Sequence, residues 1–146
     1  FFEEFFKKQG IKLRKRAYQN NSGDTGYYLC FHLPENLDDN TAISKGREIA
    51  KDLKDKGFNV WFLHDFEVHI YYNIEPLVKK FPMNDGSPWG DPKNNFHTQY
   101  NYDRGALPIL DHLLIRTIGL NMPSKMNDNT RDNMMNDLLV TLNNLY

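Results

Sequence analysis

One cysteine in 146 residues rules out an intrachain disulfide and a Cys-rich metal site. Cys30 lies in the apolar run 27–33, where a buried, inert thiol is expected. No apolar stretch approaches the roughly 20 residues a membrane helix needs, and no charged-then-apolar leader with a cleavage site appears in the sequence. An excess of one charge is also lacking. Eighteen Lys and Arg against 19 Asp and Glu leave a formal net charge of −1, which gives no electrostatic ground for a nucleic-acid partner. The basic run Lys12-Leu13-Arg14-Lys15-Arg16 has no second basic stripe beside it and reads as solvated strand or loop. A Gly-rich turn carrying a lysine and a Gly-x-Ser-x-Gly elbow are both absent. A reducing cytoplasm and no membrane partner are the expectations these absences support.

What is present fits a single globular domain over residues 1–146. Apolar residues at 40% and charged residues at 25% lie in the ordinary range, and a chain of this length buries roughly 68–70% of its unfolded surface. It opens on Phe1-Phe2-Glu3-Glu4-Phe5-Phe6-Lys7-Lys8, with Phe1/Phe5 and Phe2/Phe6 as i,i+4 pairs and Gly10 as a helix stop. With no capping residue ahead of it, this segment is expected to be the end of a longer helix. Four phenylalanines on so short a helix require a partner surface, in this domain or in another.

Periodicity orders the rest. Gly23-Asp24-Thr25-Gly26 signals a turn before a strand with Tyr27, Leu29, Phe31 and Leu33 on one face, ended by Pro34. Asp38 or Asp39 caps a helix running to about Lys56, with Ile43, Ala50 and Leu53 as its apolar stripe and Gly57 as its stop. The run 58–63 predicts a buried strand. Alternation over 67–71 predicts another, with Glu67, His69 and Tyr71 sharing a face.

A short helix is expected over 74–81, and then a long loop, 82–106, whose Trp89, Phe96, Tyr100 and Tyr102 favour order over disorder. A helix over 107–116, a short strand at Ile118, Leu120 and Met122, and a final helix capped by Asn127 or Asp128 complete the chain. That last helix carries Met134, Leu138, Leu142 and Leu145 on one face. The fold class is α+β, a small antiparallel or mixed sheet with flanking helices.

Chemistry is sparse in these residues alone. His32, His64, His69, His97 and His112 show no zinc spacing. His64-Asp65 with Glu67-x-His69 offers three ligands, but adjacent strand residues point to opposite faces, so no metal site is assigned. Lys45 in Ser44-Lys45-Gly46 superficially resembles a Schiff-base lysine. It lies inside an amphipathic helix beside Arg47 and Glu48, and a nucleophilic lysine needs a desolvated pocket.

From Gly23 onward the chain resembles the C-terminal region of the DegT/DnrJ/EryC1/StrS aminotransferases. The resemblance runs through "LKDKGFNV", then His69-Ile70-Tyr71-Tyr72-Asn73 with Pro76-Leu77 and Lys79-Lys80, then Ser87-Pro88-Trp89, Pro92 and Asn94. Its fullest piece is Tyr102-x-x-Gly105-x-Leu107-Pro108 followed by Asp111, Leu113-Leu114 and Arg116-Thr117-Ile118, and Leu120-Asn121-Met122 closes it. Ile74 stands where the family subset often has Trp, Leu107 where Cys is frequent and Asp91 where His is common; these departures bear on substrate.

The resemblance implies the small domain of a fold-type-I enzyme. Pyridoxal phosphate would be held by a missing N-terminal domain, with no catalytic residue in this chain and no activity in the isolated fragment. It further implies a homodimer, glutamate or glutamine as amino donor, and a keto-sugar nucleotide or keto-cyclitol as acceptor. On this basis His69, Tyr71, Asn73, Trp89, Tyr102 and Arg104 are assigned to substrate contact. The plainer readings are that Tyr71 packs, His69 meets a backbone carbonyl, Trp89 joins a hydrophobic cluster under the loop and Arg104 is a surface residue. Arg116 is taken as structural, set against the last carbonyls of its own helix. Two alternatives stand beside the aminotransferase: a related pyridoxal-phosphate-dependent sugar dehydratase, and a stand-alone sugar-binding module.

Overall fold

A computed structural model describes residues 2–14, 26–81, 86, 88–91, 93 and 100–143. Phe1, the Lys15-Arg16 end of the basic run, the turn at Gly23-Asp24-Thr25, Ser87, Pro92, Asn94, Phe96, His97 and Leu145 lie outside the described residues. The chain divides into two compact units, residues 1–65 with 113–146, and residues 66–112.

The first unit is an α+β assembly around a three-stranded antiparallel sheet. Its elements are α1 (Phe2–Lys8), β1 (Tyr28–His32), α2 (Asp39–Asp55), β2 (Val60–Phe62), β3 (Thr117–Asn121) and α5 (Asp128–Leu142). The strand order is β1-β3-β2, so the strand latest in sequence lies in the centre. Phe31 pairs with Ile118, and Phe62 pairs with the same Ile118 from the other side. Directly opposed residues share a face. Phe31, Ile118 and Phe62 therefore form one buried row, and Leu120 and Val60 extend it.

Helices cover that face. Asp38 caps α2, its Oδ1 accepting the Thr41 amide at 3.0 Å. Ala42, Gly46, Ile49, Ala50 and Leu53 turn inward, and Gly57, at φ +89°, follows the helix where a left-handed residue ends it. Gly46 is bare for a reason: a Cβ there would fall 2.5 Å from the Phe62 ring. Asn127 caps α5 through the Thr130 amide, and Leu138 and Leu142 complete the core. The phenylalanines of α1 find their surface within this unit. Phe5 and Phe6 are buried, Phe6 lies 5.4 Å from the Phe31 ring, and Phe2 packs at the margin.

Three local expectations are corrected. The 58–63 run is not buried throughout: β2 alternates, with Val60 and Phe62 inward and Trp61 half-buried on the other face. Cys30 is likewise half-buried on the outer face of β1; burial pushes its thiol up, and the nearby Arg14 pulls it partly back. Arg116 is structural, but its side chain reaches beyond the last carbonyls of its own helix. Its side chain is 4% exposed, and Nη2 donates to the Leu37 carbonyl at 2.6 Å and to Asp39 Oδ1 at 3.1 Å, tying the start of α2 to β3.

The second unit has no strand among its described residues. It consists of helical turns at Glu67–His69 and Tyr71–Asn73, the short α3 (Glu75–Val78), and most of α4 (Pro108–Leu114). The alternation over 67–71 predicts a strand. Instead the backbone closes on itself, with Asn73 N–H donating to the Ile70 carbonyl at 2.8 Å. A 3₁₀ turn brings residues three apart into line, not two, so His69 and Tyr71 do not share a face: His69 is exposed and Tyr71 is 8% exposed. No helix among the described residues is long and apolar enough to cross a membrane.

Candidate functional site

Within the second unit, two segments far apart in sequence meet at the Tyr71 hydroxyl. It donates to Asp111 Oδ2 at 2.9 Å, lies 3.3 Å from the Asp103 carbonyl, and accepts the Leu107 amide at 3.3 Å. Asp111 Oδ2 also takes the Gly105 amide at 2.8 Å. Gly105 sits at φ +98°, a backbone region that an L side chain resists, which explains glycine at this point of the turn. Asn101 fixes the start of the loop by accepting the Asp103 amide at 2.8 Å. The other carboxylate oxygen, Asp111 Oδ1, is buried and has no hydrogen-bond partner among the described residues.

Aromatic and cationic groups sit beside this knot. Tyr72 packs edge-on against Tyr71 at 5.0 Å, and the Arg104 guanidinium lies 5.8 Å from the Tyr72 ring centre. Burial raises the Tyr72 phenol above its ordinary value; Arg104 opposes that shift, while Asp111 and Tyr71 add to it. Trp89 meets Tyr102 edge-on at 6.0 Å. Arg104 therefore offers an exposed guanidinium over Tyr72, on a loop held from beneath by a carboxylate.

The six residues assigned from sequence divide accordingly. Tyr71 is the buried anchor, Arg104 stacks on Tyr72, and Tyr102 and Trp89 pair with each other. His69 and Asn73 do not join the Tyr71–Asp111 network. His69 tilts against Phe66 at 5.1 Å, and Asn73 Nδ2 donates to the Glu67 carbonyl at 3.0 Å, closing its own turn. Asp111 and Tyr72 were not assigned in advance. In the sequence both stand only as residues of the family resemblance, with no local periodic signal of their own.

In the first unit, His64 and Asp65 do meet, because Leu63–Asp65 is a 3₁₀ turn rather than strand. His64 Nδ1 lies 2.8 Å from Asp65 Oδ1, and Arg47 clamps the same carboxylate through Nε at 2.9 Å and Nη2 at 2.8 Å. The Asp65 carboxyl is held below its usual range, chiefly by the Arg47 hydrogen bonds and less by His64. With its carboxylate committed to a guanidinium, the pair is a poor cation ligand. No group of three or more His, Cys, Asp or Glu among the described residues is arranged to hold a metal.

Two of the described lysines, Lys45 and Lys56, lie among polar neighbours. Lys45 is half-buried on α2 beside exposed Ser44 and Arg47, and Lys56 is engaged by Asp52 and Thr141. No family model, no curated protein and no solved structure matches this chain.

Proposed function

We propose that this chain is the substrate-contacting C-terminal domain of a pyridoxal-phosphate-dependent aminotransferase acting on a keto-sugar nucleotide or keto-cyclitol. In this reading the cofactor sits on another domain, the parent enzyme is a cytoplasmic homodimer, and glutamate or glutamine donates the amino group. One observation carries the proposal. The two segments that most resemble the family, 69–73 and 102–111, are joined by the Tyr71–Asp111 hydrogen bond.

The chemistry of the joined segments suits a phosphorylated or hydroxyl-rich ligand. Arg104 presents a planar set of donors that can grip a phosphate through two bonds. Tyr102 and Trp89 supply flat surfaces and polar tips, and His69 and Asn73 are exposed donors one turn away in sequence. Tyr71 and Asp111 hold the backbone that carries Arg104, Tyr71 through the Leu107 amide and Asp111 through the Gly105 amide.

The test is to express the whole reading frame that encodes this chain and to measure amino transfer from L-glutamate to keto-sugar nucleotides. Arg104→Gln should raise KM for the sugar substrate with little change in kcat, the mark of lost binding shared by ground and transition states. A full-length protein without a cofactor-bearing lysine, or one that eliminates water instead of transferring an amino group, would overturn the aminotransferase assignment.

A further inference from the structure

The turn that carries Arg104 has a definite type. The Ala106 amide donates to the Asp103 carbonyl at 3.0 Å, closing a four-residue turn with Arg104 and Gly105 at its centre. Gly105 has φ +98°, and Arg104 keeps an ordinary negative φ. That combination is a type II turn. The commoner type I differs by about 150° in ψ at the first central residue and about 170° in φ at the second. One form therefore becomes the other when the single peptide plane between Arg104 and Gly105 turns over, and the Gly105 N–H then points to the opposite side. Glycine accepts φ of either sign, so the residue at 105 does not itself choose between the two forms.

Asp111 makes the choice. Its Oδ2 accepts the Gly105 N–H at 2.8 Å, and that bond needs the peptide turned as it is. Helix α4 carries Asp111 to this place, with the Asp111 amide donating to the Leu107 carbonyl at 2.9 Å. The same Oδ2 receives the Tyr71 hydroxyl, so the carboxylate is held from its far side. Asn101 pins the entry to the turn through the Asp103 amide, and Tyr71 pins its exit through the Leu107 amide. Between them the Arg104–Gly105 peptide has Asp111 as its one hydrogen-bond restraint among the described residues. Arg104 takes up half of any flip, because its own ψ is one of the two angles that change. In the form held by Asp111 its guanidinium lies 5.8 Å from the Tyr72 ring centre.

Resting on the reading of Arg104 as an anion contact, we infer that Asp111 is a positioning residue: it selects the type II form and so sets the direction in which Arg104 meets an anion. The turn is a two-state element, and Asp111 favours one state by differential bonding. What Asp111 supplies is an acceptor. The carboxamide oxygen of asparagine accepts the same two donors, and leucine accepts neither.

Nuclear magnetic resonance of the intact chain titrated with inorganic pyrophosphate reads both ends of this link. The contact between Arg104 Hα and the Gly105 amide proton is strong in type II and weak in type I, and the Arg104 Nε–Hε resonance reports the anion. Wild type should show the strong contact and a saturable Arg104 shift. Asp111→Leu should weaken the contact and lower pyrophosphate affinity by about fivefold or more, and Asp111→Asn should keep both. Gly105→Ala reaches the same end with Asp111 intact: a Cβ there meets nothing within 4 Å, so alanine acts through φ alone. It should weaken both signals, which keeps the test open if Asp111→Leu fails to fold. A strong contact surviving in Asp111→Leu, a weakened contact with unchanged affinity, an Asp111→Asn that loses affinity as leucine does, or no saturable Arg104 shift in wild type would each overturn the inference. Absence of amino transfer by the whole protein, with the expected pyrophosphate results in place, would remove the aminotransferase reading and leave the role of Asp111 standing.

Discussion

The phenol of Tyr71 and the carboxylate of Asp111, 40 positions apart, are joined by a 2.9 Å hydrogen bond that holds the loop between them. Tyr71→Phe removes the donor and also the acceptor for the Leu107 amide. A buried polar group left unsatisfied costs about 1–3 kcal/mol. We predict a local loss of that size, read as faster hydrogen exchange at the Gly105 and Leu107 amides. Exchange rates unchanged from wild type would show that the loop is held by other means.

Arg116 gives a prediction with an internal control. Its guanidinium is buried, but its carboxylate partner Asp39 is 72% exposed. Arg116→Met should destabilise the first unit by about 1–3 kcal/mol in urea denaturation, because the Leu37 carbonyl loses a charged donor. Asp39→Asn should cost under about 1 kcal/mol, as exposed partners do. Equal effects would mean that the ion pair, not the carbonyl contact, carries the energy.

Gly46→Ala sets two effects against each other. Alanine favours the helix by about 1 kcal/mol over glycine, but its methyl would fall 2.5 Å from the buried Phe62 ring. Overpacking a filled core costs about 1–3 kcal/mol, and Phe62, itself 4% exposed, has little room to retreat. The expected outcome is a lower Tm; a higher one would show that the ring moves freely.

Acid should loosen the first unit through Asp52 and Asp65. Both carboxyls are held below their ordinary range, Asp52 first by Lys56 and then Thr141, and Asp65 first by Arg47. A depressed folded value means that the unfolded state binds protons first as pH falls. The stabilisation is therefore fully present above the ordinary carboxylate range and is lost as pH drops through the lowered folded values. Asp65→Asn should flatten that acid limb in a plot of Tm against pH, and an unaltered slope would remove Asp65 from the account.

Pyridoxal phosphate added to this chain alone should leave no stable aldimine on Lys45. Borohydride reduction followed by peptide mass mapping reads this directly. A uniquely modified Lys45 would mean that α2 supplies an activating pocket after all.

The sequence made the first unit largely legible and the second much less so. The ends of α2 and α5 could be placed because Asp38, Gly57 and Asn127 act within a few residues of themselves. Leu29, Phe31, Ile118 and Leu120 alternate because one face of the sheet is buried. Residues 67–71 alternate equally well, yet the second unit has no strand among its described residues to receive them, and a lone strand leaves its backbone groups unpaired. The chain turns on itself instead. The importance of Asp111 was hidden for the same reason: its partners are a tyrosine 40 positions away and an amide in a glycine turn, and neither leaves a local periodic mark.

The central place of β3 has a consequence for synthesis. β1 and β2 each pair with β3, and every residue of the second unit is made before it. A chain emerging from the ribosome therefore holds two strands with no mutual partner until Thr117–Asn121 appears. Until then, helix α2 and the early phenylalanines can cluster but cannot form the three-stranded sheet. Truncation before residue 117 should leave a collapsed, protease-sensitive chain.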